Sequence, residues 1–98
     1  MRTRLEPPAS NELAEATSYL TDQSSQAAES FLSEMVVAMR LLSRFPRIGS
    51  PLDGDVRRLM LRTFPYQLIY RVLGDEIRIY AVAHLKRRPD YWTGRLPR

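Results

Sequence analysis

The stretch that decides the fold runs from Tyr66 to His84 and reads YQLIYRVLGDEIRIYAVAH. Two runs rich in β-branched and aromatic residues flank the turn-forming segment Gly74-Asp75-Glu76, a pattern typical of a β-hairpin. In the second run one set of alternating residues is wholly apolar, namely Ile77, Ile79, Ala81 and Ala83. Because successive strand residues point to opposite faces, we expect this set to meet the core, and Arg78 and His84 to lie on the open face.

The residues before this hairpin predict a further strand and a turn-rich connection. Val56 to Thr63 is rich in residues that favour β-structure, and its three arginines suit an edge strand or a partly exposed sheet face. The stretch from Phe45 to Asp55 is dense in proline, glycine and aspartate. We therefore expect it to connect two elements without forming a regular element of its own.

Towards the N-terminus the apolar period changes from two to that of a helix. Ala9, Leu13, Ala16 and Leu20 predict one helix, and a second apolar stripe runs from Ala28 to Phe45 and ends at Pro46. Residues 2–6 alternate and stop at two prolines, which predicts a short first strand. The expected fold class is α+β, with a short N-terminal strand, an antiparallel two-helix hairpin and a three-stranded antiparallel meander in one domain, 1–98.

Composition excludes several classes of function. Ninety-eight residues suit a single small domain. The absence of cysteine excludes disulfides and thiolate sites, and with His84 as the only histidine we expect no metal and no cofactor. The longest uncharged stretch has eight residues, Thr63 to Tyr70, far below the roughly 20 that span a bilayer. With no secretory signal visible, we expect a cytoplasmic location and no membrane partner.

Positive charge is concentrated in the second half of the chain. Residues 1–55 carry a net charge of −3 and residues 56–98 a net charge of +7. Fourteen of the fifteen cationic side chains are arginine, whose planar fork suits bidentate pairing with carboxylate or phosphate. The expected partner is therefore anionic, and acidic protein and nucleic acid both satisfy that description.

Four short sequence words give the chain a family resemblance. They are Arg57-Arg58, Phe64-Pro65-Tyr66 followed by Ile69-Tyr70-Arg71, the strand from Ile77 to His84, and Arg87-Arg88-Pro89-Asp90-Tyr91-Trp92. Together they resemble the RelE/ParE superfamily of toxins from type II toxin–antitoxin systems, over essentially the whole chain.

The resemblance implies a bacterial protein that is neutralised by an acidic, partly disordered antitoxin in a toxin–antitoxin hetero-oligomer. In that assembly, operator DNA is contacted only through the antitoxin. An arginine-rich sheet face and an exposed edge suit such a partner, because complementary charge raises the association rate and strand pairing supplies hydrogen bonds. The residues expected to bind the antitoxin are Arg57, Arg58, Arg62, Arg71 and Arg78.

One branch of the superfamily consists of nucleases. RelE-like members cut messenger RNA on the ribosome, which needs a base, phosphate-binding cations and an acid. The candidate set here is His84 as base or acid, Arg62, Arg78 and Arg87 as phosphate ligands, and Tyr91 as a proton donor. Many RelE-like nucleases carry lysines in the segment that corresponds to residues 47–62, and this chain has none there.

The other branch is the one that the sequence favours. ParE-like members inhibit DNA gyrase without a catalytic centre of their own, through the C-terminal strand and tail. Here a basic, aromatic tail at 85–98 supplies the candidate target-binding residues Arg87, Arg88, Tyr91, Trp92 and Arg95. Under this interpretation Trp92→Ala or Arg88→Ala weakens toxicity and His84→Ala does not. A third alternative is a non-toxic module that binds the antitoxin and co-represses its operon.

Overall fold

Two helices lie on one face of a five-stranded mixed sheet in the computed structural model, which describes residues 1–97. The elements are β1 (Arg2–Leu5), α1 (Pro7–Gln23), α2 (Ser25–Arg44), β2 (Ser50–Asp53), β3 (Val56–Met60), β4 (Tyr66–Leu73), β5 (Glu76–His84) and a single 3-10 turn, Thr93–Arg95. The strand order is β1-β5-β4-β3-β2, with β1 parallel to β5 and the other pairs antiparallel. The predicted α+β class and the order of the predicted elements are confirmed.

The two helices are separated by one capping residue. Pro7 and Pro8 occupy the first turn of α1, where a missing N–H is tolerated. Ser24 ends α1 and caps α2, since its hydroxyl oxygen accepts a hydrogen bond from the Ala27 N–H at 3.3 Å. α2 ends at Arg44, directly before Phe45 and Pro46.

The main core lies between the helices and the sheet. Phe31, Met35 and Leu42 of α2 pack against apolar side chains of the two central strands, chiefly Leu68, Tyr70, Ile77, Ile79 and Val82. All of these residues are almost completely buried. The apolar stripe predicted for the second helix therefore forms the centre of the core.

The prediction that residues 45–55 lack a regular element is wrong, because they contain β2. Ser50 pairs with Arg58 and Pro51 with Arg57, at the outer edge of the sheet. A proline is tolerated on an edge strand because its missing N–H would face solvent. The turn-forming composition of these residues gives no sign of β2, which forms because it pairs with β3.

The prediction that Ala81, Ala83 and the isoleucines share one face is also wrong. Tyr70 pairs with Ile79 but Ile69 pairs with Ala81, so Tyr80 is an extra residue in β5. Such a bulge reverses the alternation beyond it. Ala81 and Ala83 therefore point away from the helices.

His84 consequently leaves the open face where we expected it. Val82 joins the core under the helices, and His84 lies on that same side, at a cleft beside α1. Its ring packs edge-on against Tyr66 with the ring centroids 5.1 Å apart. Arg78, which precedes the bulge, keeps its predicted place on the other face.

A second, smaller cluster covers part of the outer sheet face. Trp92 is only 2% exposed and packs with Val56, Ile69, Ala81 and Ala83. The tail thus folds back over the sheet instead of extending into solvent. Residue 98, the end of the predicted tail, lies outside the described residues. Neither helix is long and apolar enough to cross a membrane, within residues 1–97.

Candidate functional site

The segment that follows β5, residues 85–97, is called the tail below. It is a succession of turns without a strand or an α-helix. The Leu85 N–H donates to the Pro65 carbonyl at 2.9 Å, and the Arg87 N–H donates to the His84 carbonyl at 2.9 Å. The Trp92 indole N–H donates to the Pro89 carbonyl at 2.8 Å, which satisfies the one polar group of a buried side chain.

Glu12 of α1 is the residue that connects the tail to the rest of the fold. One of its carboxylate oxygens accepts from the Tyr91 hydroxyl at 2.6 Å, and Arg95 contacts both oxygens at 2.7 and 3.1 Å. The carboxylate also accepts from the Val82 N–H at 3.1 Å, and Arg95 donates further to the Tyr80 carbonyl at 3.0 Å. Glu12 carries no signal in the sequence as a site residue, because its partners lie 70 to 83 residues away.

This contact perturbs the proton affinity of both tail partners. Burial raises the pKa of Tyr91 above its ordinary value of 10, and its hydrogen bond to Glu12 raises it further. The same carboxylate raises the pKa of Arg95 through its hydrogen bond. Tyr91 is therefore a protonated donor held by a carboxylate, which is a structural role.

The predicted target-binding residues divide into two groups. Tyr91, Trp92 and Arg95 face the fold and hold the tail. Arg87 lies over the Tyr91 ring, with its guanidinium carbon 4.0 Å from the ring centroid, and Arg88 forms an exposed ion pair with Asp90 at 3.4 Å. Arg87 and Arg88 are thus the predicted residues that the folded tail presents to solvent.

The predicted nuclease residues are only partly brought together. His84 and Arg87 line a cleft of about 180 Å³ beside α1, and Tyr91 lies against Arg87. The His84 Nδ1 accepts from the Lys86 N–H at 3.1 Å, so the neutral imidazole carries its proton on Nε2.

The other two nuclease candidates lie elsewhere. Arg78 is six residues before His84 on β5, about 20 Å away at strand spacing, and its guanidinium pairs with Glu76 at 3.3 Å and Glu6 at 3.8 Å. Arg62 lies beyond the end of β3 and lines a separate cavity beside α2, with Glu34 and Val37. The cleft therefore holds one of the three predicted phosphate-binding arginines.

Three of the predicted antitoxin-binding arginines already have partners within the fold. Arg57 donates to the Gly49 carbonyl at 2.7 Å, Arg71 pairs with Asp55 at 3.0 Å, and Arg78 is paired as described above. The remaining two, Arg58 and Arg62, are exposed.

Arg62 borders an apolar groove between α2 and β3. Its walls are formed mainly by Val37, Ala38, Leu41, Leu59, Met60 and Leu61, around a cavity of about 140 Å³. Val37 is 63% exposed and Met60 51%. β2 pairs only with Val56 to Arg58, so among the described residues no strand covers the outer edge of β3 at Met60. The groove thus combines exposed apolar side chains, an open strand edge and an arginine.

The strand, helix pair and sheet described above form the small α+β fold that the resemblance to the RelE/ParE superfamily predicts. Residues 3–89 match the family described as "ParE toxin of type II toxin-antitoxin system, parDE", and the chain belongs to that family. It is also similar in fold to a solved structure titled "Chromosomal ParDE TA system from P. aeruginosa". That match has 20% identity and a TM-score of 0.74, and it covers 86% of this chain and 95% of the other. No curated protein matches the chain significantly.

Proposed function

We propose that this toxin arrests growth by binding and inhibiting DNA gyrase, and that a cognate antitoxin neutralises it. The observation that carries the proposal is the match to the ParE family over residues 3–89. The proposed place of action is the bacterial cytoplasm, where gyrase acts on the chromosome. Binding of operator DNA is assigned to the antitoxin in a toxin–antitoxin hetero-oligomer.

The tail is the proposed gyrase-binding surface. Arg87 and Arg88 are exposed on a segment that is fixed to the sheet, so their binding costs little ordering entropy. Arginine is one of the residues that dominate interface energies, and rigid presentation favours such contacts. Tyr91, Trp92 and Arg95 contribute indirectly, by holding the tail.

Several features of the cleft argue against RNA cleavage as the activity. Arg78 lies about 20 Å from His84 at strand spacing, too far to bind the same phosphate, and Arg62 lines a different cavity, beside α2. Tyr91, the proposed acid, is hydrogen-bonded to Glu12 with its pKa raised, which makes it a poor proton donor to a leaving group. Residues 47–62, the segment in which many RelE-like nucleases carry lysines, also contain none here.

The test is a gyrase supercoiling and DNA-cleavage assay with purified toxin, alone and with its antitoxin. We expect lost supercoiling or trapped cleaved DNA, reversed by the antitoxin. Arg88→Ala is expected to weaken inhibition about 5- to 30-fold, the range for an interface arginine. His84→Ala and Arg40→Ala, which removes an exposed arginine from α2, should inhibit like the wild type.

Two results would change the assignment. Folded, growth-arresting protein that leaves gyrase unaffected, or His84→Ala alone abolishing toxicity, would direct attention to ribosome-bound messenger RNA. Expression without the antitoxin that causes no growth arrest would favour the non-toxic co-repressor module.

The groove between α2 and β3 is the proposed antitoxin site. Its exposed apolar side chains suit the apolar face of an amphipathic segment, and the open edge of β3 offers backbone groups for strand pairing. Arg62 at the border would pair with an acidic residue of such a partner, whereas Arg58 alternates with Leu59 and shares the outer sheet face with Val56. Arg57, Arg71 and Arg78 contribute less here, since their guanidiniums are already engaged.

Two neighbouring valines allow a matched test of the groove. Val37 lines it, whereas Val36 is 48% exposed on the same helix but faces a different surface. Val37→Asp is expected to weaken antitoxin binding at least about tenfold in calorimetry, because it buries a charge in an apolar contact. Val36→Asp should bind like the wild type. Equal affinity for both variants would place the antitoxin elsewhere.

A further inference from the structure

Glu12 stands out because it receives more hydrogen bonds than any other side chain described above. Its side chain is 12% exposed. Donors reach it from three residues, the Val82 N–H, the Tyr91 hydroxyl and the Arg95 guanidinium. Glu12 of α1 therefore joins β5, just beyond the bulge, to Tyr91 and Arg95 of the tail.

A carboxylate is the only side chain of this size that satisfies all of these donors. It offers two oxygens with about four acceptor positions, which match two bonds from Arg95 and one each from Tyr91 and Val82. A glutamine has the same shape, but it replaces one oxygen with an NH₂ group that would face other donors. Glu12→Gln therefore removes the charge and about half of the accepting capacity without creating a cavity.

The position of Arg87 depends on this carboxylate through Tyr91. The Tyr91 hydroxyl is fixed by Glu12, and the guanidinium carbons of Arg87 and Arg95 lie 4.0 and 4.9 Å from the Tyr91 ring centroid. Such stacking orients a cation over the ring. Loss of the Glu12 contact would therefore release Tyr91 and Arg95 together, and Arg87 would lose the fixed aromatic ring on which it stacks.

The tail is held by fewer buried contacts than the rest of the fold. It has no strand or α-helix, and it contacts the sheet mainly through the small cluster around Trp92. The larger core, between the helices and the sheet, contains no tail residue. Segments with few buried contacts open at lower free energy than the global fold.

We propose that Glu12 is a positioning residue that holds the tail against the sheet and so presents Arg87 and Arg88 to the toxin's target. This inference rests on the proposed gyrase inhibition for its functional part. Its structural part, the docked tail, stands on the contacts of Glu12 alone.

The experiment compares Glu12→Gln with Glu15→Gln, which neutralises an exposed carboxylate on the same helix. Trp92 is the only tryptophan and is buried, so its fluorescence reports directly on the docking of the tail. In Glu12→Gln we expect red-shifted emission and acrylamide quenching raised about two-fold or more, with an unchanged far-ultraviolet spectrum. Gyrase inhibition should fall about tenfold, as for one lost charged hydrogen bond. Glu15→Gln should match the wild type in both assays.

Each outcome decides one part of the inference. Unchanged Trp92 quenching in Glu12→Gln would overturn the docking role. A released tail with full inhibition would overturn the positioning role. If the wild-type toxin does not inhibit gyrase, the proposed function fails instead, and the docking role is judged by Trp92 quenching alone.

Discussion

Gly49 is the position where a single methyl group tests the packing of the edge of the sheet most directly. A Cβ built there would lie 2.6 Å from the Arg58 carbonyl oxygen, 2.6 Å from the Tyr70 hydroxyl and 2.8 Å from a carbon of the Tyr70 ring. Real Cβ atoms essentially never show separations below 3.0 Å. The neighbours cannot easily yield, since one is the backbone of β3 and the other is a fully buried ring.

The expected cost of Gly49→Ala has two parts. Overpacking of a fixed site costs about 1–3 kcal/mol, and displacing Tyr70 also lengthens the 2.9 Å hydrogen bond from the Gly49 N–H to its hydroxyl. That bond contributes about 1 kcal/mol. The sum, about 2–4 kcal/mol, corresponds to a fall in melting temperature of about 8–30 °C for a domain of this size.

The assay is urea unfolding followed by far-ultraviolet circular dichroism, with Gly94→Ala as the control. A Cβ at Gly94 meets nothing within 4 Å, so this variant should unfold within about 0.5 kcal/mol of the wild type. If Gly49→Ala is also within 0.5 kcal/mol, the close approach of the 45–49 connection to Tyr70 is not a fixed feature of the fold.

Three further predictions concern aromatic residues. Tyr70→Phe should lower the free energy of unfolding, measured in urea, by about 1–3 kcal/mol. It leaves the Gly49 N–H and the Pro46 carbonyl without the hydroxyl that bonds both of them. A change below 0.5 kcal/mol would contradict this role. Trp92→Ala should lower the free energy of unfolding by at most about 3–5 kcal/mol and weaken gyrase inhibition, because the tail is no longer docked. Full inhibition by this variant would show that docking is dispensable. The raised pKa of Tyr91 means that the unfolded chain loses this proton near pH 10 while the folded chain keeps it, so stability falls as pH rises above 10. Tyr91→Phe should reduce that alkaline fall in unfolding titrations, and an identical pH dependence would contradict the shift.

The features that could be predicted from the sequence are those written in local periodicity. The stripe of α2, the β4–β5 hairpin and the first strand each carry their signal within a few neighbouring residues. β2 carries no such signal, since Ser50 and Pro51 form a strand only because Arg57 and Arg58 pair with them. The composition of residues 45–55 correctly indicates a local preference for turns, but the prediction that no regular element forms there is wrong because strand pairing overrides that preference.

The bulge at Tyr80 shows how a one-residue irregularity changes a functional interpretation. Strict alternation placed His84 on the open face, where it could have served an exposed site. With one extra residue in β5, His84 turns towards α1 and Ala81 and Ala83 turn outward. Small alanines on the outer face then provide room for the indole ring of Trp92, and this packing docks the tail. No periodicity in the sequence marks the extra residue, because both frames place apolar residues on a buried face.

The tail illustrates why clustering in sequence does not define a binding surface. Arg87, Arg88, Tyr91, Trp92 and Arg95 lie within nine residues, and by composition all five are equally good interface residues. Burial separates them: the indole is covered by the sheet, and the partners of Glu12 point inward. A side chain that is already bonded within its own fold has less to gain from a second protein, because it must first give up existing contacts. The surface left for a target is therefore the pair of arginines that the inward-facing residues hold in place, and a substitution in either group would weaken inhibition by a different route.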